Sequence, residues 1–451
     1  MSGRFEGERA VVVGAGVAGA SAARVLRAEG ASVTITEARP ISDVALAPGL
    51  RADGIELLAG GHDPAHLDGS TLVVTAPGVP EAAPVLAWAR ARGLPVWGEM
   101  ELGARIARAP VVAVTGTNGK TTTTGMITAC LVAAGLDAVA CGNIGHPFPV
   151  AAREGHDVLV VECSSFQLRM QESLHPRVSV LLNLAPDHLD WHGSYAAYAD
   201  AKSRVFARQV EGDVHVGNRD DAEAGARSSR APCDVVWFRG GAPREGEVGY
   251  DRGVLRSRLP GNPADLGSVG GSAGLRCDAA AAAAASLSFG VPPEAVRHGL
   301  AAFEPSPHRG QTVAVVDGVR FIDDSKATNV HAALAAIDGV NDAVLIAGGR
   351  AKGVDLAPLA SRAARLRAVV AIGEAAPDLV RVFEGLRPVE RAPSIEDAAR
   401  RAFELAGPSG CVLLAPACAS WDQFSSYVER GERFRAAAIA MLREVGARGG
   451  A

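Results

Sequence analysis

Apolar runs rich in valine, alanine, isoleucine and leucine recur along the chain, most of them closing on glycine or a small polar residue, with alanine-rich stretches between them. Runs that are apolar throughout belong to strands covered on both faces, and their separation by helical stretches predicts parallel β-α-β units. In residues 1–98 strands are expected in ERAVVVGAG, ASVTITEA, STLVVTAPG and LPVWG, and helices over SAARVLRAEG and APVLAWARARG. A second series, 99–304, runs through PVVAVTGTNGKTTTT, DAVACGNIG, DVLVVECSSFQL, VSVLLNLAPDHLDWHG and DVHVGN. It also holds a glycine- and proline-rich stretch, Gly240 to Gly274, expected as a β-rich excursion or surface loop, and a polyalanine helix over Ala279 to Ala285. After PSPHRG a third series, 305–451, continues in AVVDGVRFIDDS, DAVLIAGGRAKG, AVVAIGE and CVLLAPACAS. The pattern predicts an α/β protein of three domains without tandem repeats: an N-terminal Rossmann-like parallel sheet, a central sheet and a C-terminal Rossmann-like domain. Ligands are expected at strand ends and in a cleft between domains.

Length agrees, since 451 residues at roughly 100 to 200 per domain make about three domains. A net charge of -5 gives no electrostatic reason to expect nucleic acid or an anionic membrane as partner. No apolar stretch reaches the roughly 20 residues that span a bilayer, and the N-terminus enters a strand without a signal-peptide pattern, so a cytoplasmic protein is expected. The seven cysteines form no C-x-x-C pair, which supports neither a disulfide framework nor a zinc site. One bias changes the picture: of 45 cationic side chains only four are lysine, Lys120, Lys202, Lys326 and Lys352. A chain that otherwise uses arginine keeps lysine where a compact point charge or an amine matters.

The motifs fall at strand ends. GAGVAG (Gly14, Gly16, Val17, Ala18, Gly19) satisfies G-x-G-x-x-G, with Glu37 about 20 residues on, the pattern of a dinucleotide site. The spacing reports only close backbone approach to a diphosphate, so a UDP-sugar or a tight structural turn fits equally. TGTNGKTTTT is more specific: the backbone around Gly116, Thr117, Asn118 and Gly119 can wrap phosphate oxygens, Lys120 can reach the β- and γ-phosphates, and Thr121, followed by Thr122, can ligate magnesium. This marks the central sheet as a P-loop-type ATPase sheet, although Val114 stands where the common loop has its first glycine. Glu162 closes an apolar strand, as a carboxylate offered to a hard cation would, or as a core glutamate. APDHLDWHG puts Asp187, His188, Asp190 and His192 on one strand-exit loop, and Lys202 follows fourteen residues after His188 on an expected helix; solvated capping is the alternative.

The shortened GTNGKT loop resembles the Mur ligases and their folate-glutamate ligase relatives. With GNIG, SSFQL, DHLDWHG, DSKATN and PACAS the resemblance to the Mur family extends over nearly the whole chain, and it is most marked to the members that add D-glutamate. It implies a cytoplasmic, monomeric ATP-dependent amide ligase of peptidoglycan precursor synthesis that works through an acyl phosphate. Its small-molecule partners would be UDP-N-acetylmuramoyl-L-alanine, D-glutamate and ATP. Implied too are two Mg2+ ions, one held by Thr121 and Glu162 and the other by His188 and a carbamate on Lys202, with Lys120, Glu162, His188 and Lys202 catalytic. ATP would meet the Gly116–Thr122 loop, Arg309, Asp324 and Lys326. The UDP-sugar would meet the Gly14–Gly19 turn, Glu37, Arg39, Gly78, Asn143 and His188, and D-glutamate would meet Thr328, Lys352, Ser420, Trp421 and Tyr427. All four lysines fall in these segments.

One departure stands out. Where the family shows H-N-x-x-N-A, this chain reads Cys277, Asp278, Ala279, Ala280, Ala281, Ala282, so two amide side chains that assist ATP binding are missing. Three rivals follow: a paralogue taking L-glutamate or another amino acid, a non-catalytic nucleotide-binding paralogue, and an NAD-linked oxidoreductase supported by Gly14, Gly16, Gly19 and Glu37 alone. A folate polyglutamate ligase leaves the GAGVAG domain unexplained.

Overall fold

The computed structural model describes residues 3–270 and 272–449, with side chains as far as 445. Three sheets carry the fold, as the apolar runs predict. The first contains β1 (Arg9–Val13), β2 (Ser32–Glu37), β3 (Glu56–Ala59), β4 (Leu72–Thr75) and β5 (Val96–Gly98), all parallel in the order β3-β2-β1-β4-β5. Alternate residues of β1 enter opposite cores: Ala10 and Val12 pack with Ala22, Ala23 and Leu26 of the helix Val17–Ala28, while Val11 and Val13 pack with Leu86 and Ala89.

The second sheet contains β6 (Val111–Thr115), β7 (Ala138–Gly142), β8 (Val158–Glu162), β9 (Val178–Leu181), β10 (Val214–Asn218), β11 (Asp234–Phe238), β12 (Glu247–Asp251), β13 (Val254–Leu259) and β14 (Asn262–Asp265). Its order is β14-β13-β12-β11-β10-β9-β6-β8-β7, parallel except where the Gly240 to Gly274 excursion adds β13 and β14 antiparallel at one edge. Strands β6, β8 and β9 are buried throughout, and with β6 between the other two their C-terminal ends share one edge. Ligands of an open parallel sheet gather at that edge.

The third sheet contains β15 (Gln311–Val316), β16 (Val319–Asp323), β17 (Ala343–Gly348), β18 (Leu366–Ile372), β19 (Val389–Arg391) and β20 (Cys411–Leu414) in the order β15-β16-β20-β17-β18-β19. Only the β15–β16 pair is antiparallel. Along β17 the side chains alternate between two cores, Leu345 toward Ile337 and Leu359, Val344 and Ile346 toward Ala402 and Phe434.

By contact density the chain divides into two compact units. The first comprises residues up to Leu184, Ala199–Val269 and Cys277–Phe303, and so holds the first two sheets. The second comprises Ala185–Tyr198, Gly270–Arg276 and Glu304 onward, and holds the third sheet. Among the described residues no helix is long and apolar enough to cross a membrane.

Candidate active site

Within the first unit, the β1 turn is closed by Glu37, at the end of the neighbouring β2. The Ala15 amide donates to Glu37 Oε2 at 2.7 Å, and Arg39 donates to Oε1 from its backbone N at 3.0 Å and from Nε at 3.1 Å. Pairing with Arg39 holds the Glu37 carboxyl down at about 2, against the opposing effect of burial. Both Glu37 oxygens therefore take part in shaping the turn. Gly78, after β4, is exposed, and a Cβ there would meet only open space. Val17, at the N-terminus of the helix it opens, is 66% exposed.

At the C-terminal end of β6 the loop Gly116–Gly119 leads into the helix Lys120–Ala133, with Gly119 at φ 85. Asn183, just past β9, fastens this loop: its backbone oxygen accepts from Thr117 N at 2.9 Å, its Oδ1 accepts from Asn118 N at 2.8 Å, and its Nδ2 donates to Asn118 O at 3.1 Å. Two lysines converge on the same loop. Lys120 Nζ donates to Gly116 O and Thr117 O, both at 3.0 Å, and the buried Lys202 donates to Gly116 O at 2.7 Å from the helix Tyr195–Ser203. Amides at a helix N-terminus with the Lys120 ammonium beside them suit a polyphosphate.

Glu162 ends β8, the neighbour of β6, and is buried. Its Oε1 accepts from Asn143 Nδ2 at 2.9 Å, whereas Oε2 is buried without a hydrogen-bond partner. An orphaned buried carboxylate oxygen is costly unless something binds it, and beside a phosphate loop a hard dication such as Mg2+ fits. The departure from the family pattern lands at this place, because a Cβ on Gly119 would run into Asp278 Oδ1. A carboxylate thus abuts the phosphate loop.

In the second unit, Asp187 is the centre of a buried group. Its Oδ1 lies 2.7 Å from Lys352 Nζ and accepts from His188 N at 3.0 Å, and its Oδ2 accepts from Asn329 Nδ2 at 3.3 Å. His188 (φ 53) and Lys352 (φ 56) both hold the left-handed backbone, as do His308 (φ 64) and Ala417 (φ 58). Left-handed non-glycine residues are uncommon and gather at functional sites. Asp190, Arg350, Lys352, Glu374 and Asp378 line a cavity of about 330 Å³. Arg350 and Ala419 exchange backbone hydrogen bonds, which joins GGRAKG to PACAS and brings Lys352 and Ser420 onto neighbouring segments.

Thr328 directly precedes Asn329, which caps the helix Val330–Asp338 by accepting from Ala332 N at 2.9 Å. Lys326 Nζ lies 5.2 Å from the Tyr427 ring centre. Ser420 is buried, but Trp421 is 66% exposed. Burial pushes the Asp324 carboxyl up to about 7, with the Arg309 cation opposing, and Arg309 Nε is itself buried without a hydrogen-bond partner.

The expected residues thus form three groups: the β1 turn with Glu37 and Arg39; the Gly116–Thr122 loop with Lys202, Glu162 and Asn143; and Lys352 with His188 and the neighbours of Thr328. Of the expected metal ligands, Thr121, Glu162 and Lys202 belong to the first unit and His188 to the second. Among the described residues no three His, Cys, Asp or Glu side chains cluster as a metal site. Asn183 and Asn329 are site residues that sequence reasoning missed. Asn183 carries the ordinary signal of a polar residue after an apolar strand, and Asn329 is the last residue of DSKATN.

Comparison with known proteins gives a consistent result. The Mur ligase MurD-like N-terminal domain matches residues 8–98, the Mur ligase middle domain matches 114–246, and the Mur ligase, glutamate ligase domain matches 308–418. The UDP-N-acetylmuramoylalanine--D-glutamate ligase of Frankia casuarinae is 44% identical, over 95% of this chain and 93% of its own. The protein of the same name from Anaeromyxobacter dehalogenans is 42% identical, over 97% of this chain and 99% of its own. Among solved structures, a pseudomurein peptide ligase type C from Methanothermus fervidus superposes with a TM-score of 0.61 at 20% identity, covering 90% of this chain and 96% of that one, a likeness of fold alone.

Proposed function

This chain belongs to the Mur ligase family, and from that premise we propose that it joins D-glutamate to the alanine carboxylate of UDP-N-acetylmuramoyl-L-alanine, acting as a cytoplasmic monomer. The enzyme is an ATP-dependent ligase of peptidoglycan synthesis. The observation that carries the choice of substrates is its end-to-end identity of 44% and 42% with ligases of that name. The four lysines are consistent with it, since each falls in a segment that the family resemblance marks as functional.

In this reading the Gly14–Gly19 turn, shaped by Glu37 and Arg39, receives the UDP moiety together with Gly78, and Asn143 contacts the muramoyl group. The loop amides and Lys120 hold the ATP phosphates and neutralise the charge that builds up as the γ-phosphoryl group passes to the alanine carboxylate. Arg309 and Asp324 meet the nucleotide, and the raised Asp324 carboxyl suits a partner such as a sugar hydroxyl that does not demand a charge. Bound Mg2+ supplies further neutralisation of the phosphate oxygens. Thr121 and the open oxygen of Glu162 would hold one ion, and His188 and a carbamate on Lys202 the other. Lys352, with Thr328, Ser420 and Tyr427, takes the glutamate carboxylates and orients its amine toward the acyl phosphate. Amide formation then expels phosphate.

Phosphate release and product mass, measured with ATP, Mg2+ and UDP-N-acetylmuramoyl-L-alanine, test this directly. Ligation that requires D-glutamate supports the proposal. Preference for L-glutamate would reassign the chain to a paralogue within the family, and binding without ligation of any amino acid would overturn it.

A further inference from the structure

Behind the residues assigned to ATP and glutamate lies a charged side chain that the reaction above does not use. Arg430, in the helix Tyr427–Gly449, is 0% exposed. Its Nε donates to Ser325 Oγ at 3.0 Å, one terminal nitrogen donates to Ser325 O at 2.8 Å, and the other donates to Cys418 O at 3.2 Å. These acceptors are a hydroxyl and two carbonyls, not a carboxylate. Burial pulls the guanidinium down to about 10, so it remains charged at neutral pH. A buried cation is expensive to desolvate, and one that touches no carboxylate, with Asp422 and Asp323 acting on it only through their charge, calls for a reason beyond stability.

The reason lies in what the fork connects. Ser325 donates from Oγ to Tyr427 O at 2.8 Å and from its backbone N to Asp323 Oδ1 at 2.9 Å. The other Asp323 oxygen lies 2.7 Å from His308 Nδ1, and His308 O accepts from Lys326 N at 3.3 Å. The helix presses directly on this pair: a Cβ on Gly431 would overlap His308 Nδ1 and come 2.9 Å from Asp323 Oδ2. Arg430 therefore bonds directly to the segments that carry Asp324, Lys326 and Thr328 on one side and Ser420 on the other. Through Ser325 and Asp323 it reaches Tyr427 and the turn that carries Arg309.

We infer that Arg430 is a positioning residue that fixes the nucleotide-contacting and amino-acid-contacting segments of the second unit in one mutual register. This rests on the reading that Thr328, Ser420 and Tyr427 meet D-glutamate and that Arg309 and Asp324 meet ATP. The rigid fork is essential to it, because guanidinium donors point in fixed directions to separate acceptors, whereas a lysine ammonium on a flexible stem keeps the charge and loses the span.

The test compares full-length wild type, Arg430→Lys and Ser325→Ala by steady-state kinetics for each substrate, with thermal unfolding alongside. The expected result for Arg430→Lys is a KM for D-glutamate raised about ten-fold and a KM for ATP raised several-fold, with UDP-N-acetylmuramoyl-L-alanine affinity unchanged. Ser325→Ala, which deletes one acceptor and leaves the cation, should shift the same two KM values in the same direction by less. It decides the matter if Arg430→Lys does not fold. Variants with a lower Tm and every KM unchanged would show a merely structural arginine and overturn the inference alone. Wild type that ligates no D-glutamate would overturn the functional reading and this inference with it.

Discussion

Lys352 Nζ lies 2.7 Å from Asp187 Oδ1, and both side chains are only 8% exposed. The second Asp187 oxygen accepts from Asn329, so the carboxylate fixes the ammonium between GGRAKG and the start of the helix Val330–Asp338. Removing one member of a buried pair leaves the other charge uncompensated. Asp187→Asn, nearly isosteric, is expected to lose about 3 kcal/mol in chemical denaturation. It should also raise the KM for D-glutamate while leaving affinity for the UDP substrate intact. An unchanged D-glutamate KM would mean that Asp187 does not hold Lys352 for the amino acid.

How much of this was legible in the sequence depends on how far apart the partners are. The phosphate loop was, because wrapping phosphate requires glycine, lysine and threonine within one short segment. Glu162 was legible as a carboxylate closing an apolar strand, but that position alone left a core glutamate as the alternative. The Glu37 spacing was legible but its engagement was not, since that depends on β1 and β2 lying side by side and on Arg39 folding back. Partners distant in the chain left no local signal: Asn183 meets Asn118 across 65 residues, Asp187 meets Lys352 across 165, and Arg430 meets Ser325 across 105. Arginine is also this chain's ordinary solubilising cation, which hid Arg430 among its exposed counterparts. The grouping of Ala185–Tyr198 with the second unit ran against the apolar pattern, which joins that loop to the strand before it.

Glu99 gives a pH-dependent prediction away from the chemistry. It is buried, accepts from Gln167 Nε2 at 2.6 Å through Oε1, and leaves Oε2 without a hydrogen-bond partner. Burial pushes its carboxyl up to about 7, with the Gln167 bond opposing. Between the unfolded value, near 4.5, and 7 the native state binds more protons than the unfolded state, so stability falls as pH rises through that window. Glu99→Gln removes the titration. Relative to wild type it should gain on the order of 2 kcal/mol between pH 5 and pH 8, read from denaturant midpoints at the two values. A difference that does not vary with pH would rule out Glu99 as the titrating group.

Lys202 makes the carbamate proposal testable. Its amine is buried and donates to Gly116 O at 2.7 Å, and addition of CO2 would exchange that cation for an anion able to bind metal. Arginine keeps the positive charge but cannot take up CO2 at neutral pH. Lys202→Arg is therefore expected to lose ligation by about a hundred-fold or more. Wild type supplied with 13C-bicarbonate should show a carbamate carbon resonance that the variant lacks. Full activity in Lys202→Arg would exclude the carbamate from the reaction.

Asp278 is one of the departures from the family motif, and its position gives it a direct electrostatic consequence. Its carboxylate abuts Gly119, at the N-terminus of the helix Lys120–Ala133, where the phosphates are proposed to sit. A negative charge there opposes polyphosphate binding, and at an effective dielectric of about 20 the repulsion amounts to a few kcal/mol before screening and cation binding offset it. Asp278→Asn removes the charge with little change of shape and restores an amide at a position where the family carries one. The KM for ATP should fall by about ten-fold and the requirement for free Mg2+ should weaken, because less positive charge is needed to neutralise the site. Titrating ATP at several Mg2+ concentrations, with wild type in parallel, separates the two effects. If the KM for ATP rises instead, the Asp278 carboxylate is a constructive part of the nucleotide site, and the chain has replaced the family's amides with an acid that binds through the metal.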